Sequence, residues 1–155
     1  MGRASPDVSD VAPVTLYGER MPETPEELRP VLRDVHAASP VRVVVREPSG
    51  DHPYDAGTVW LHVAGTLGSI GFRPAPGTAL PDRVCAAADQ LHDWILECLP
   101  ELGFPAVWPE CPEHPATHPL RVGMTGDGPV WRCPRSAAVH ARVGELGRVP
   151  FREAG

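Results

Sequence analysis

The sequence predicts an α+β fold, in which a three-stranded antiparallel meander is packed by two helices and followed by a small C-terminal extension. Two segments repeat apolar residues at helical spacing, and three short strand-like segments, the first of them rich in β-branched residues, lie between them. The connections between these three segments are too short for parallel crossovers. The chain has 155 residues and 42% hydrophobic content, which is enough for one core and a small appended module.

The first predicted helix covers about residues 25–38 and follows a segment, residues 1–22, that we expect to be flexible. Thr24 is a candidate N-cap, Pro25 suits the first helical position, and Glu27 completes a Thr-x-x-Glu capping box. The apolar residues that follow at helical spacing are Leu28, Val31, Leu32 and Val35.

Three strands are predicted next, at Val41–Glu47, Thr58–Val63 and Leu67–Phe72. The alternation in the middle strand places its apolar residues on one face, where a helix can cover them. These residues are Val59, Leu61 and Val63. With the helices, the strands form an α+β core that we assign to residues 23–103.

The second predicted helix begins at Pro81 and ends at Pro100, with Asp82 near the positive end of the helix dipole. We expect His92 and its neighbour Asp93 to lie on its solvated side, because adjacent helix positions do not face each other. The apolar stripe of this helix is expected to pack on the meander, and it consists of Val84, Ala88, Leu91, Ile95 and Leu99.

The composition changes after residue 103, where the chain becomes rich in proline and poor in periodic apolar positions. Two cysteines and two histidines fall within 23 residues here, and thiolate and imidazole donors at such spacing are typical of a zinc site. Short strands are expected near these residues, and Trp108 and Trp131 are expected to form a small hydrophobic roof, that is, an apolar cluster that covers the metal site. The predicted ligands of a structural Zn²⁺ ion are Cys111, His114, His118 and Cys133.

The spacing leaves the fourth ligand open, because His140 lies at strand-like distance from Cys133 and is an alternative to His118. The Cys-x2-His turn and a later strand that brings back Cys133 resemble a zinc ribbon, although a ribbon normally carries two paired Cys-x2-Cys turns. The resemblance covers about 30 residues near the C-terminus and implies a module type without a specific activity. We therefore assign residues 104–155 to a zinc-ribbon-like module.

The composition and motifs favour a small non-enzymatic binding or adaptor protein that docks a protein partner. A metal-dependent hydrolase with Glu113 as general base is the alternative, although His-Glu-x-x-His and Gly-x-Ser-x-Gly motifs are absent. A third hypothesis is a nucleic-acid-binding ribbon, which the net charge of −6 disfavours. This ribbon would use Arg121, Arg132, Arg135 and Arg142 to bind the nucleic acid.

Without a signal-peptide pattern or a long apolar run, we expect a cytoplasmic location.

Overall fold

The computed structural model describes residues 23–46, 57–74 and 78–148, and the predicted flexible segment 1–22 lies outside this part of the chain. The described residues form two helices and two separate three-stranded antiparallel sheets, which confirms the α+β class. The elements are α1 (Leu28–Ala38), β1 (Val43–Arg46), β2 (Val59–Val63), β3 (Ser69–Phe72), α2 (Leu80–Glu101), β4 (Arg121–Thr125), β5 (Gly128–Arg132) and β6 (Val139–Arg142).

The first sheet is the predicted meander, with strand order β1-β2-β3 and both pairs antiparallel. Val43 pairs with Val63, and Leu61 pairs with both Val45 and Ile70, so the apolar positions of all three strands share one face. Leu61 and Val63 are fully buried, as the alternation in β2 predicts. This face contributes to the main hydrophobic core.

The predicted capping box at the start of α1 is wrong. Pro25 to Leu28 form a turn closed by a 3.0 Å hydrogen bond from the Leu28 amide to the Pro25 carbonyl, and α1 begins only after Glu27. No side chain caps the helix. Glu27 is instead buried, with one carboxylate oxygen 3.5 Å from Nε of Arg83 on α2. The carboxylate therefore faces the other helix, and a capping bond is not made.

The second helix agrees closely with its predicted bounds. Pro81 lies in the first turn, where its missing amide has no intrahelical partner to lose. The helix runs one residue past Pro100 and closes with a 3.1 Å bond from the Leu102 amide to the Leu99 carbonyl. Its backbone approaches α1, β4 and β5, so α2 connects the first helix to the second sheet.

The C-terminal part of the described chain contains a second meander, with strand order β4-β5-β6. A β-bulge interrupts the β5–β6 pairing at Trp131 and Arg132. Buried side chains of this region belong to the same continuous core cluster as the helices and the first sheet. Among the described residues, no helix is long and apolar enough to cross a membrane.

Candidate metal centre

The first half of the site is a proline-rich loop between α2 and β4, and backbone hydrogen bonds join the two ends of this loop. Glu110 and Pro119 form an isolated antiparallel bridge, and the Leu120 amide donates to the Pro109 carbonyl at 2.7 Å. Within the loop, the His114 amide donates to the Cys111 carbonyl at 3.1 Å. This turn places the side chains of Cys111 and His114 on the same side of the loop.

The second half of the site is the tight turn between β5 and β6. The Cys133 amide and carbonyl pair with Ala138 and Ala137 at 2.9 Å, which brings the chain back immediately after Cys133. Ala137 adopts a positive φ of 62°, a left-handed conformation that this reversal requires. Cys133 is thereby held at the end of β5, facing the loop.

All four predicted ligands converge, and their donor atoms lie within 4.8 Å of one another. Nδ1 of His114 is 3.5 Å from the sulfur of Cys111 and 3.5 Å from the sulfur of Cys133, and Nε2 of His118 is 4.0 Å from the sulfur of Cys133. In a tetrahedral zinc site with bonds of about 2.3 Å to sulfur and about 2.0 Å to nitrogen, sulfur and nitrogen lie about 3.5 Å apart. The cluster can therefore hold a metal ion with little rearrangement.

A hydrogen bond at Nδ1 orients the imidazole of His118 so that its other nitrogen, Nε2, faces the donor cluster. Nδ1 lies 2.9 Å from the Pro119 carbonyl, an acceptor, so Nδ1 carries the proton and donates this hydrogen bond. In this tautomer of the neutral ring Nε2 is the acceptor nitrogen, and it lies 4.0 Å from the sulfur of Cys133. Metal-bound histidines typically donate their other ring N–H in this way. This contact favours His118 over His140 as the fourth ligand.

The surroundings of Cys133 lower the pKa of its thiol and so favour the thiolate, which is the form that binds a metal. Cys133 and Cys111 are both fully buried. Burial raises the pKa of Cys133, but hydrogen bonds from the Ser136 side chain, from the Ser136 and Arg135 amides and from Cys111 bring this pKa below its usual value. The turn after β5 thus stabilises negative charge on the sulfur.

The carboxylate of Glu113 lies beside the cluster and is held by two neighbours. Its Oε2 accepts a 2.7 Å hydrogen bond from the Ser136 hydroxyl and lies 2.9 Å from Nε2 of His140. The hydrogen bonds from Ser136 and His140 lower the pKa of Glu113. His140, the alternative fourth ligand, therefore faces Glu113 and forms an overlapping group of candidate donors with Glu113 and Cys111.

The predicted hydrophobic roof is a buried aromatic cluster that also includes His92. Trp108 and Trp131 meet edge to face with ring centroids 5.5 Å apart, and His92 packs against both, 6.3 Å and 6.0 Å away. The prediction of a solvated His92 is wrong, since it is 1% exposed. Burial and the charge of Arg121 lower its pKa, so the ring is neutral at pH 7. The sequence position beside Asp93 does not reveal that β5 covers this residue.

Sequence reasoning missed Asp34, a fully buried carboxyl group on α1. Its Oδ2 accepts hydrogen bonds from the Trp131 indole at 2.8 Å and the Gly144 amide at 2.6 Å, and its Oδ1 accepts one from the Leu146 amide at 2.8 Å. Burial raises the pKa of Asp34, and the three hydrogen bonds oppose this rise. Asp34 links α1 to β5 and to the chain after β6, and thereby supports the strand that immediately precedes Cys133.

The arginines of the nucleic-acid hypothesis lie on the second sheet and its last turn. Arg121 pairs with Arg132 across β4 and β5, and Val130 pairs with Arg142 across β5 and β6, so three of the four share one face by register. A methyl group at Gly123 would lie 2.5 Å from Nε of Arg132, so the Arg132 side chain lies flat across this glycine. Arg121 also lies 3.5 Å from Asp93.

Comparisons of the chain with models of known protein families, with curated proteins and with solved structures found no significant match. The candidate metal centre therefore rests on the chemistry and the geometry of its own residues.

Proposed function

We propose that this chain is a non-enzymatic binding or adaptor protein, in which a structural zinc ion orders a zinc-ribbon-like C-terminal region and a neighbouring surface docks a protein partner. The observation that carries the proposal is the convergence of two thiols and two imidazoles from separate segments on one point. A zinc ion there would join the loop after α2 to the turn after β5. Such a link stabilises a region with few apolar residues of its own.

The donor set favours zinc over other biological cations. Thiolate and imidazole ligands suit Zn²⁺, whereas Mg²⁺ and Ca²⁺ prefer oxygen donors. Two cysteines and two histidines complete a tetrahedral sphere, and structural zinc sites are closed in this way. The burial of both cysteines supports a structural role.

The surroundings of Glu113 support the non-enzymatic reading over a zinc hydrolase. A hydrolase needs an open coordination position for water and a general base with a pKa near the working pH. The carboxylate of Glu113 accepts hydrogen bonds from two partners, and its pKa is lowered, so it is a weak base. Four protein ligands would also leave no position for a catalytic water.

X-ray absorption spectroscopy of the protein loaded with one equivalent of Zn²⁺ tests this closed coordination. We expect two sulfur atoms at about 2.3 Å and two nitrogen atoms at about 2.0 Å from the metal. The Cys85→Ser variant is a matched control, because Cys85 lies on α2 outside the cluster, and its spectrum should be unchanged. A water oxygen in place of one protein ligand would contradict a structural site and favour the hydrolase alternative.

The proposed docking surface is an apolar cavity of about 210 Å³ between the end of α1, the end of α2 and the metal loop. Phe104 at its edge is 43% exposed, and Leu99 and Val107 line it. Glu110 and Ala116, which flank the Cys111–His114 turn, also form its wall. A metal-ordered loop would therefore shape the cavity for an apolar side chain of the partner.

A binding experiment with two variants tests the docking surface. We expect crosslinking to capture one discrete partner protein bound to this chain. We expect Phe104→Ser to lower the amount of crosslinked partner at least tenfold without lowering the metal content. Leu67→Ser is the control, because Leu67 is fully exposed on the β2–β3 turn and outside the cavity. Equal recovery by both variants would contradict docking at this cavity.

A further inference from the structure

A second set of metal donors adjoins the four-ligand cluster. The donor atoms of Cys111, Glu113 and His140 also lie within 4.8 Å of one another. Cys111 belongs to both sets, whereas Glu113 and His140 lie outside the first. The two sets are thus neighbouring positions that share one sulfur atom.

The donor atoms of this second set lie close enough together to bind one ion. Oε2 of Glu113 and Nε2 of His140 are 2.9 Å apart, against about 3.4 Å for oxygen and nitrogen ligands of one tetrahedral zinc ion. A slight movement of the two side chains away from each other would make room for a metal ion between them. The Ser136 hydroxyl, 2.7 Å from the same carboxylate oxygen, holds Glu113 in this orientation.

The backbone makes the placement of both side chains specific. Glu113 lies between Cys111 and His114 on the loop, so its carboxylate is held next to the first site. His140 lies on β6 between Val139 and Ala141, which pair with the consecutive β5 residues Arg132 and Trp131, so His140 is the extra residue of the bulge on β6. A bulge redirects the extra side chain of a strand pair, and here that residue is His140.

We infer that Cys111, Glu113 and His140 form a second divalent-metal site, joined to the first by the Cys111 thiolate as a bridging ligand. The class of ion is Zn²⁺ or a similar borderline cation, because the donors are one sulfur, one nitrogen and one oxygen atom. Three protein ligands leave one position for water, and two of the ligands are partly exposed. The second ion therefore binds more weakly than the first.

This inference rests on the proposed structural zinc, since the two sites share Cys111, and metal stoichiometry distinguishes them. Titration of the full chain with Zn²⁺, followed by elemental analysis of the saturated protein, is expected to give two ions per chain in two steps. His140→Ala and Glu113→Gln should each leave one ion, bound in the first step. His62→Ala, a change on β2 of the first sheet, is the control and should keep two.

Each outcome of this titration decides the inference. Two ions in the wild type and one in His140→Ala or Glu113→Gln, with unchanged circular dichroism, supports the bridged pair. A single ion in the saturated wild type overturns the second site and leaves the first intact. Two ions retained in both variants also overturn it. A wild type that binds no ion removes both the inference and the structural zinc of the proposed function.

Discussion

Replacing Cys111 or Cys133 by serine is expected to abolish tight zinc binding and to lower the melting temperature by roughly 10 °C or more. Each sulfur is one of four converging donors, and both residues are fully buried in the main core. Zinc that binds only the folded chain contributes its binding free energy to folding. Elemental analysis of the purified protein and thermal unfolding measure the two effects.

A chelator distinguishes two causes of a lower melting temperature in these variants, namely the loss of the metal and the burial of a serine hydroxyl. We expect excess chelator to lower the melting temperature of the wild type and of Cys85→Ser, and to leave that of Cys111→Ser unchanged. Cys85 is the matched control because it is a free cysteine outside the donor cluster. If the wild type and Cys111→Ser had equal metal content and equal melting temperatures, the structural-zinc proposal would be refuted.

Replacing Asp34 by alanine is expected to lower the free energy of unfolding of the metal-loaded protein by roughly 3–5 kcal/mol. The change leaves the Trp131 indole and the amides of Gly144 and Leu146 without their acceptor. Unpaired buried donors of this kind cost about 1–3 kcal/mol each, and local relaxation recovers part of the total. Denaturant unfolding followed by circular dichroism measures the loss.

Asp34→Asn gives a graded comparison at the same position. Its amide oxygen still accepts hydrogen bonds, but its NH₂ group faces one of the three donors, so we expect a loss of roughly 1–3 kcal/mol. Asp127→Asn is the control, since Asp127 is exposed on the β4–β5 turn, and surface changes of this kind stay within about 0.5 kcal/mol. A loss in Asp34→Ala no larger than in this control would show that the three hydrogen bonds do not anchor the sheet.

Local sequence patterns predicted those elements whose stability depends on neighbouring residues. Pro81 and Pro100 mark the ends of α2 to within one residue because proline lacks an amide donor and restricts the backbone. The alternation in β2 predicts the buried face of the first sheet, since side chains on a strand alternate between its two faces. Short spacing made the convergence of Cys111 and His114 predictable.

Long-range contacts were harder to predict, because they depend on how distant segments pack. The sequence around His92 is compatible with a surface position, but in the folded chain Trp131 of β5 and Trp108 before the metal loop pack against its ring. Glu27 fits a capping box by its spacing, but its carboxylate lies against Arg83 on the other helix. Asp34 lies 97 residues from Trp131, so no local pattern connects them.

The sequence by itself determined the α+β class, most of the helical and strand segments and three of the four candidate metal donors, because these follow from periodicity, proline positions and donor spacing. Only the tertiary structure decided that the C-terminal strands form a separate sheet within one continuous core, and that His118 joins the four-donor cluster while His140 faces Glu113. The physical reason is that the direction of a side chain such as His140 depends on the bulge and register of its strand pair.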